Sequence, residues 1–169
     1  AKCNSLKGWV LFADCDFPFL ADIKKLFSLA DASKAVMCVK HDWQGSQCLK
    51  MDNKIQEAYP KKLWSSLFLW QINHPANMQL TVAQVNGERG TWLHGFSWLR
   101  EDQIGSLPHE WNYIPNFSDL KYPGVPPRAV HYSYGMPDLE KYKDAPFSNL
   151  WHKELAHYKS VNMKRGVVI

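Results

Sequence analysis

The stretch GWVLFADCD, residues 8–16, is an apolar run that ends in two carboxylates. Its centre, Trp9 to Ala13, is rich in β-forming residues and predicts a buried strand. Asp14 and Asp16 follow in a turn that breaks the alternation of side chains, so both carboxylates can face one cation. Mg²⁺ and Mn²⁺ prefer such oxygens and keep positions open for phosphate. The pattern predicts a divalent-cation site at the end of the strand, where α/β sheets bind ligands; it also fits a solvated acidic turn.

The segments beyond this strand predict an α/β layer. Apolar residues recur at helical spacing from about Leu20 to Leu29, and Ala35 to Lys40 reads as a second buried strand. Residues 41–62 and 115–127 have the composition of loops. The remaining predicted elements are strands at 64–72, 111–114 and 129–133 and helices at 81–87, 101–107 and 147–158. The expected fold is a mixed sheet flanked by helices.

Composition narrows the function classes. The chain has 169 residues, 46% of them hydrophobic and 21% charged, which fits one globular domain of ordinary size. Apolar runs of about five residues are too short to span a membrane, which takes ~20. The net charge of +4 is scattered, which argues against a nucleic-acid groove. The four cysteines form no C-x-x-C pair, which argues against structural zinc and favours reduced thiols in the cytoplasm.

Aromatic residues make up 14% of the chain and include eight tryptophans. They fit either a core of large side chains or a cleft lined with flat rings, as in sugar-binding proteins. His131, within the last apolar stretch, is a candidate third metal ligand, although a histidine there is often only a core residue. Gly135 would let the backbone approach a phosphate closely. Asp102 and Gln103 fit either a helix start or a pair of polar groups aimed into a cleft.

Five segments, in this order, resemble a family of glycosyltransferases. They are DCD (14–16), PFLADI (18–23), WSSLFLW (64–70), EDQIGSLPHEWN (101–112) and HYSYGMP (131–137). The chain is similar, over roughly residues 9–152, to retaining, metal-dependent enzymes of the GT-A fold that use nucleotide sugars and are grouped as family 8. The resemblance implies a partial GT-A fold and transfer of a sugar from a nucleotide-sugar donor to an acceptor that the sequence does not identify.

The resemblance also implies roles for individual residues. Asp14, Asp16 and His131 would hold Mn²⁺ or Mg²⁺ against the donor diphosphate, and Ser65, Ser66 and Gly135 would contact the donor. Asp102 would lie beneath the anomeric carbon, and Gln103 would position the sugar. The phosphate-binding lysine of the family is absent from its matching position, where Lys141 and Lys143 are the nearby candidates.

Only 13 residues precede Asp14, whereas a GT-A enzyme places at least two βα units there, and one βαβ unit takes ~30 residues. We therefore expect residues 1–169 to be a single domain, the C-terminal portion of a transferase without its base-binding strands. Such a portion would have an exposed sheet edge that favours self-association, and an inactive fragment is one of the alternatives that the sequence leaves open.

Two other functions remain open. The first is a carbohydrate- or nucleotide-binding module without catalysis, which the aromatic content and the departures from the family favour. The second is a Mg²⁺-dependent phosphatase of the haloacid-dehalogenase type, which also opens with a strand ending in D-x-D. That family has Thr or Val two positions after the second aspartate, where Pro18 stands here.

Overall fold

The fold is built on a four-stranded mixed sheet. The structure, a computed structural model, describes residues 7–43, 48–49, 55–56 and 60–164. Its strands are β1 (Trp9–Ala13), β2 (Val36–Cys38), β3 (Cys48–Leu49), β4 (Ile55–Gln56), β5 (Leu67–Gln71) and β6 (Ile104–Ser106). The main sheet has the order β1-β5-β2-β6, while β3 and β4 form a separate antiparallel pair. The expected α/β fold with a mixed sheet is confirmed.

The pairing of the strands defines two edges of the sheet. Strand β5 is antiparallel to β1 and β2, and β2 is parallel to β6. The last residues of β1, β2 and β6 therefore meet the start of β5 at one edge, which we call the carboxyl edge. It is defined by Ala13, paired with Leu67, and by Cys38, paired with Ser106 and Phe68.

The described residues form five short helices and one of 17 residues. They are α1 (Lys24–Phe27), α2 (Pro75–Met78), α3 (Val82–Gly87), α4 (Gly90–His94), α5 (Phe117–Lys121) and α6 (Ser148–Lys164). Single 3₁₀ turns cover Trp64–Ser66, Glu101–Gln103, His109–Asn112 and Glu140–Tyr142. Helix α3 follows the prediction: the Thr81 hydroxyl accepts a hydrogen bond from the Gln84 amide at 3.2 Å, and Gly87 is its last residue. No helix among the described residues combines the length and apolarity that crossing a membrane requires.

Strand β2 is buried on both faces because the core lies on both sides of the sheet. Met37 packs with Leu26, Leu69 and Trp111 on one side. On the other side, Val36 and Cys38 belong to a second cluster of apolar side chains, which includes Phe96, Leu99 and Ile104. Burial raises the pKa of the Cys38 thiol to about 12, so this cysteine stays protonated and acts as a small apolar side chain.

Several predicted elements differ from the observed ones. The predicted helix at 101–107 is wrong: a 3₁₀ turn leads directly into β6, because residues 104–106 pair in parallel with β2. Sheet pairing here overrides the local helical pattern. The predicted strands at 111–114 and 129–133 are also wrong. Only the first half of 111–114 lies in a 3₁₀ turn. Beyond that turn, the two segments make only isolated bridges, Tyr113 with Val130 and Phe19 with Ala129.

Strand β1 is an outer strand of the described sheet. Its outward side chains Val10 and Phe12 are each 46% exposed. An edge with exposed backbone groups and apolar side chains is the kind of surface that pairs with another chain. Self-association through the outer strand β1 stays a prediction.

Candidate metal centre

Two chain segments bring the end of β1 and His131 together. Residues 16–20 run antiparallel to 128–132: the Tyr132 amide donates to the Asp16 carbonyl at 3.2 Å, and the Val130 amide to the Pro18 carbonyl at 3.1 Å. The other side of the segment 128–132 lies beside Tyr113, the residue after the 3₁₀ turn at 109–112, and the His131 amide donates to the Tyr113 carbonyl at 2.8 Å. These backbone bonds place His131 beside Asp16 at the carboxyl edge.

The three predicted metal ligands form one cluster. Asp14, Asp16 and His131 each offer a ligand atom within 4.8 Å of the other two. The Nε2 atom of His131 lies 3.5 Å from Oδ2 of Asp16, and both side chains are largely buried, with 4% and 17% exposure. Asp14 is exposed, and its amide donates to the Ser66 carbonyl at 2.8 Å, which fixes the turn against the start of β5.

The donor set fits a divalent cation. Ligand atoms bound at ~2.1 Å to one small ion lie about 3–4 Å apart, so the observed spacing requires only modest closure. Oδ1 of Asp16 is buried and has no hydrogen-bond partner, which is costly for a carboxylate unless a cation or proton compensates. Carboxylates suit Mg²⁺ and Mn²⁺, and imidazole is a common ligand of transition metals. The placement of the three residues is observed; the metal itself is a proposal.

Asn112 connects the cluster to the protein interior. It is fully buried, and its Oδ1 lies 2.9 Å from Nδ1 of His131. Its Nδ2 donates to the Leu63 carbonyl at 3.2 Å and to the Ser66 hydroxyl at 2.9 Å. The sequence reasoning placed Asn112 in the segment LPHEWN but gave it no role; a polar residue next to a buried tryptophan was the available signal.

His41 forms a hydrogen bond with the backbone of the same asparagine. Its Nε2 donates to the Asn112 carbonyl at 2.8 Å, so its Nδ1 is the unprotonated nitrogen, and Nδ1 is buried without a hydrogen-bond partner. Burial lowers the pKa of His41 to about 4, with the neighbouring His131 and His109 adding to the effect. His41 is therefore neutral near pH 7 and contributes a fixed dipole rather than a positive charge.

The predicted donor-binding serines also lie at the carboxyl edge. Ser66 is buried, donates its hydroxyl to the Leu63 carbonyl at 2.7 Å and offers its own carbonyl to Asp14. The Ser65 hydroxyl lies 2.8 Å from Nδ1 of His94, the last residue of α4. The sequence reasoning missed His94, because nothing in its local pattern distinguishes it from a surface residue. Contact of either serine with a donor stays a prediction.

Gly135 has a structural reason to be glycine that the sequence did not reveal. A Cβ atom at this position would lie 2.2 Å from ring carbons of Tyr142, far inside contact distance. The space that we expected to admit a phosphate on that side of Gly135 is filled by the tyrosine ring. Of the two candidate lysines, Lys143 pairs with Glu140 at 2.6 Å and Lys141 lies over the Tyr142 ring at 5.2 Å.

Asp102 and Gln103 lie away from this cluster, and their roles at the donor sugar stay predictions. The Gln103 carbonyl accepts from the Ala35 amide at 2.9 Å, next to the start of β2, so both residues lie at the edge opposite Asp14. Across the sheet, Ile104 lies at the level of Val10, because Ile104 pairs with Val36 and both Val36 and Val10 pair with Trp70. Asp14 lies four residues beyond Val10, which is about 13 Å along an extended strand. The Asp102 carboxylate is exposed and faces Arg100, which holds its pKa below the ordinary value.

Comparisons with known proteins agree with this architecture. No protein-family model matches the chain. It is 42% identical over 165 residues to Protein CDI of Arabidopsis thaliana; the match covers 96% of this chain, and the chain spans 64% of that relative's length. The crystal structure of the glycosyltransferase GlyE of Streptococcus pneumoniae is similar with a TM-score of 0.56 and 14% identity, over 88% of this chain and 40% of GlyE. The chain has an α/β fold of the glycosyltransferase kind, consistent with part of a GT-A-like fold.

Proposed function

We propose that this chain carries the metal-binding and sugar-binding side of a glycosyltransferase that uses a nucleotide-sugar donor. The observation that supports the proposal most is the cluster of Asp14, Asp16 and His131 at the carboxyl edge of a glycosyltransferase-like fold. Ligands of α/β proteins bind at this edge. Two adjacent carboxylates repel an anionic diphosphate unless a cation lies between them, which favours Mn²⁺ or Mg²⁺ as the cofactor.

Each part of the site has a definable task under this proposal. A bound divalent cation would supply positive charge where the departing nucleoside diphosphate gains negative charge. Asp14 and Asp16 hold that position through their carboxylates, and the amide of Asp14 is anchored on Ser66. Ser65 and His94 place a hydroxyl and an imidazole at the same edge, where they can hydrogen-bond sugar hydroxyls. The acceptor is not identified by any of these groups.

Donor binding is the direct test. Calorimetric titration with a panel of nucleoside diphosphate sugars, with and without Mn²⁺, should show binding that requires the metal. Asp14→Asn should abolish the metal-dependent part, whereas Asp138→Asn, which removes an equal charge outside the cluster, should preserve it. Binding of equal strength in Asp14→Asn and in the wild type would contradict the metal assignment.

A second candidate function is binding of the donor without turnover. The observation that favours it is the position of Asp102 and Gln103, which leaves the candidate carboxylate and amide outside the cluster. Metal-dependent donor binding together with no release of nucleoside diphosphate, with or without a sugar acceptor, would favour this module. Release of nucleoside diphosphate that Asp14→Asn abolishes would favour the transferase.

A further inference from the structure

Asn112 can be oriented without ambiguity from its surroundings. Two of its contacts are made by one end of the side-chain amide, to the Leu63 carbonyl and to the Ser66 hydroxyl. A carbonyl oxygen only accepts hydrogen bonds, so this end must be the NH₂ group. The Ser66 hydroxyl already donates its hydrogen to the Leu63 carbonyl and has lone pairs left to accept. The oxygen of Asn112 must then point at His131.

This orientation fixes the proton on His131. Because Oδ1 of Asn112 only accepts, Nδ1 of His131 at 2.9 Å must carry a hydrogen. In the neutral imidazole the lone pair then belongs to Nε2, which faces Oδ2 of Asp16 at 3.5 Å. A lone pair and a carboxylate that face each other in a largely buried place repel, and a cation between them removes the repulsion. The Phe17 ring, stacked on the imidazole at 4.4 Å, holds the ring plane in place.

We propose that Asn112 is a positioning residue that holds His131 in the Nδ1–H tautomer, so that Nε2 is presented to a divalent cation held with Asp14 and Asp16. The inference rests on the proposed metal centre and assigns a task to a residue that does not touch the metal. Groups that hydrogen-bond the second nitrogen of a ligating histidine usually change metal affinity 10–100-fold when they are removed. His41 donates a hydrogen bond to the backbone carbonyl of Asn112, so a chain of hydrogen bonds runs from the buried His41 through Asn112 to His131.

The tautomer can be measured without metal or activity. Long-range ¹H–¹⁵N correlation spectra of the metal-free wild type, at about pH 8.5 where an ordinary imidazole is neutral, should assign the hydrogen of His131 to Nδ1. Asn112→Leu removes the acceptor and should shift the hydrogen to Nε2, toward Asp16. Asn112→Asp keeps an acceptor for Nδ1–H and should keep the wild-type tautomer. A wild-type His131 with its hydrogen on Nε2 would overturn the inference, and this measurement requires no variant to fold.

Mn²⁺ binding gives a second, independent readout. Calorimetric titration with Mn²⁺ alone should show an affinity that falls about 10–100-fold in Asn112→Leu and falls less in Asn112→Asp, which keeps an acceptor for the Nδ1–H group of His131. Ser118→Ala is the matched control, since Ser118 is equally buried and its hydroxyl accepts one hydrogen bond from the Ile114 amide. It should lower stability without changing affinity. Undiminished affinity in Asn112→Leu, together with loss of binding in Asp16→Asn, would refute the role of Asn112 while leaving the metal centre intact.

Discussion

Replacing Asp16 by asparagine should separate metal binding from folding. The wild-type cluster places two carboxylates within 4.8 Å of each other, with one oxygen of Asp16 buried and unpartnered. Charges about 4 Å apart repel by about 1 kcal/mol in a solvent-like dielectric and by about 4 kcal/mol at a partly buried site. Asp14 is exposed to solvent, so the lower figure applies. Asp16→Asn should therefore leave the metal-free protein as stable as the wild type, or up to about 1 kcal/mol more stable.

Metal binding should reverse this order of stability. A ligand at 100 times its dissociation constant stabilises the folded state by about 2.7 kcal/mol. In a domain of this size, 1 kcal/mol corresponds to a change in melting temperature of roughly 2–4 °C. Saturating Mn²⁺ should raise the melting temperature of the wild type by about 5–10 °C. Asp16→Asn should rise by less than about 1 °C at the same concentration, because one of its three ligands has lost its charge.

Differential scanning calorimetry with and without Mn²⁺ measures both effects in one series. Glu140→Gln is the matched control: it removes the same charge from an exposed side chain that pairs with Lys143 and does not belong to the cluster. Its response to Mn²⁺ should equal that of the wild type. A rise of about 5–10 °C in Asp16→Asn would show that the metal binds elsewhere and would refute the cluster as its site.

Three further variants test the placement of single residues. Gly135→Ala should cost about 1–3 kcal/mol of unfolding free energy in urea, and the cost should fall in a Tyr142→Ala background, where the ring no longer blocks the added methyl group and only the strain of the positive φ at this position remains. The pKa of His41 is about 4 in the folded protein and about 6.5 in the unfolded chain, so binding of a proton favours the unfolded state. The free energy of unfolding should therefore fall by up to about 3 kcal/mol as the pH drops from 6.5 to 4. Urea titrations of His41→Gln should lack this contribution. Asp102→Asn should keep the full wild-type rise in melting temperature with Mn²⁺, and a loss like that of Asp16→Asn would contradict its position at the opposite edge.

The sequence predicts the parts of the fold that depend on local patterns. β1 ends where the acidic turn begins, and the capping box at Thr81 begins α3, because an apolar run and a cap are each encoded within a few residues. Residues 101–107 show where this reasoning stops. Their acidic start and apolar spacing suggest a helix, but residues 104–106 form a strand because they pair with β2. This pairing is a long-range contact, which the local sequence pattern does not reveal.

The same distinction applies to the site. Asp14 and Asp16 could be found from their position after a strand. His131 could be found as a candidate third ligand for that acidic pair, and the resemblance to a family implies the same role. Placing Asp102 and Gln103 required knowledge of the register of β6, which local sequence does not contain. The contact between Gly135 and Tyr142 and the pair of Ser65 with His94 depend on loop packing, for which the sequence offers no periodic signal.

The proposed metal centre depends on more of the chain than its carboxylates indicate. The amide of Asp14 donates to the Ser66 carbonyl, and the carbonyl of Asp16 accepts from the segment that carries His131. The imidazole of His131 in turn bonds to the side chain of Asn112. Asn112 in turn requires Leu63 and Ser66, which close the network at the start of β5. Two aspartates after a strand are common in proteins; what distinguishes this pair is a buried histidine whose protonated nitrogen is determined by an oriented amide. Variants within this network should therefore weaken metal binding even where they leave all three predicted ligands in place.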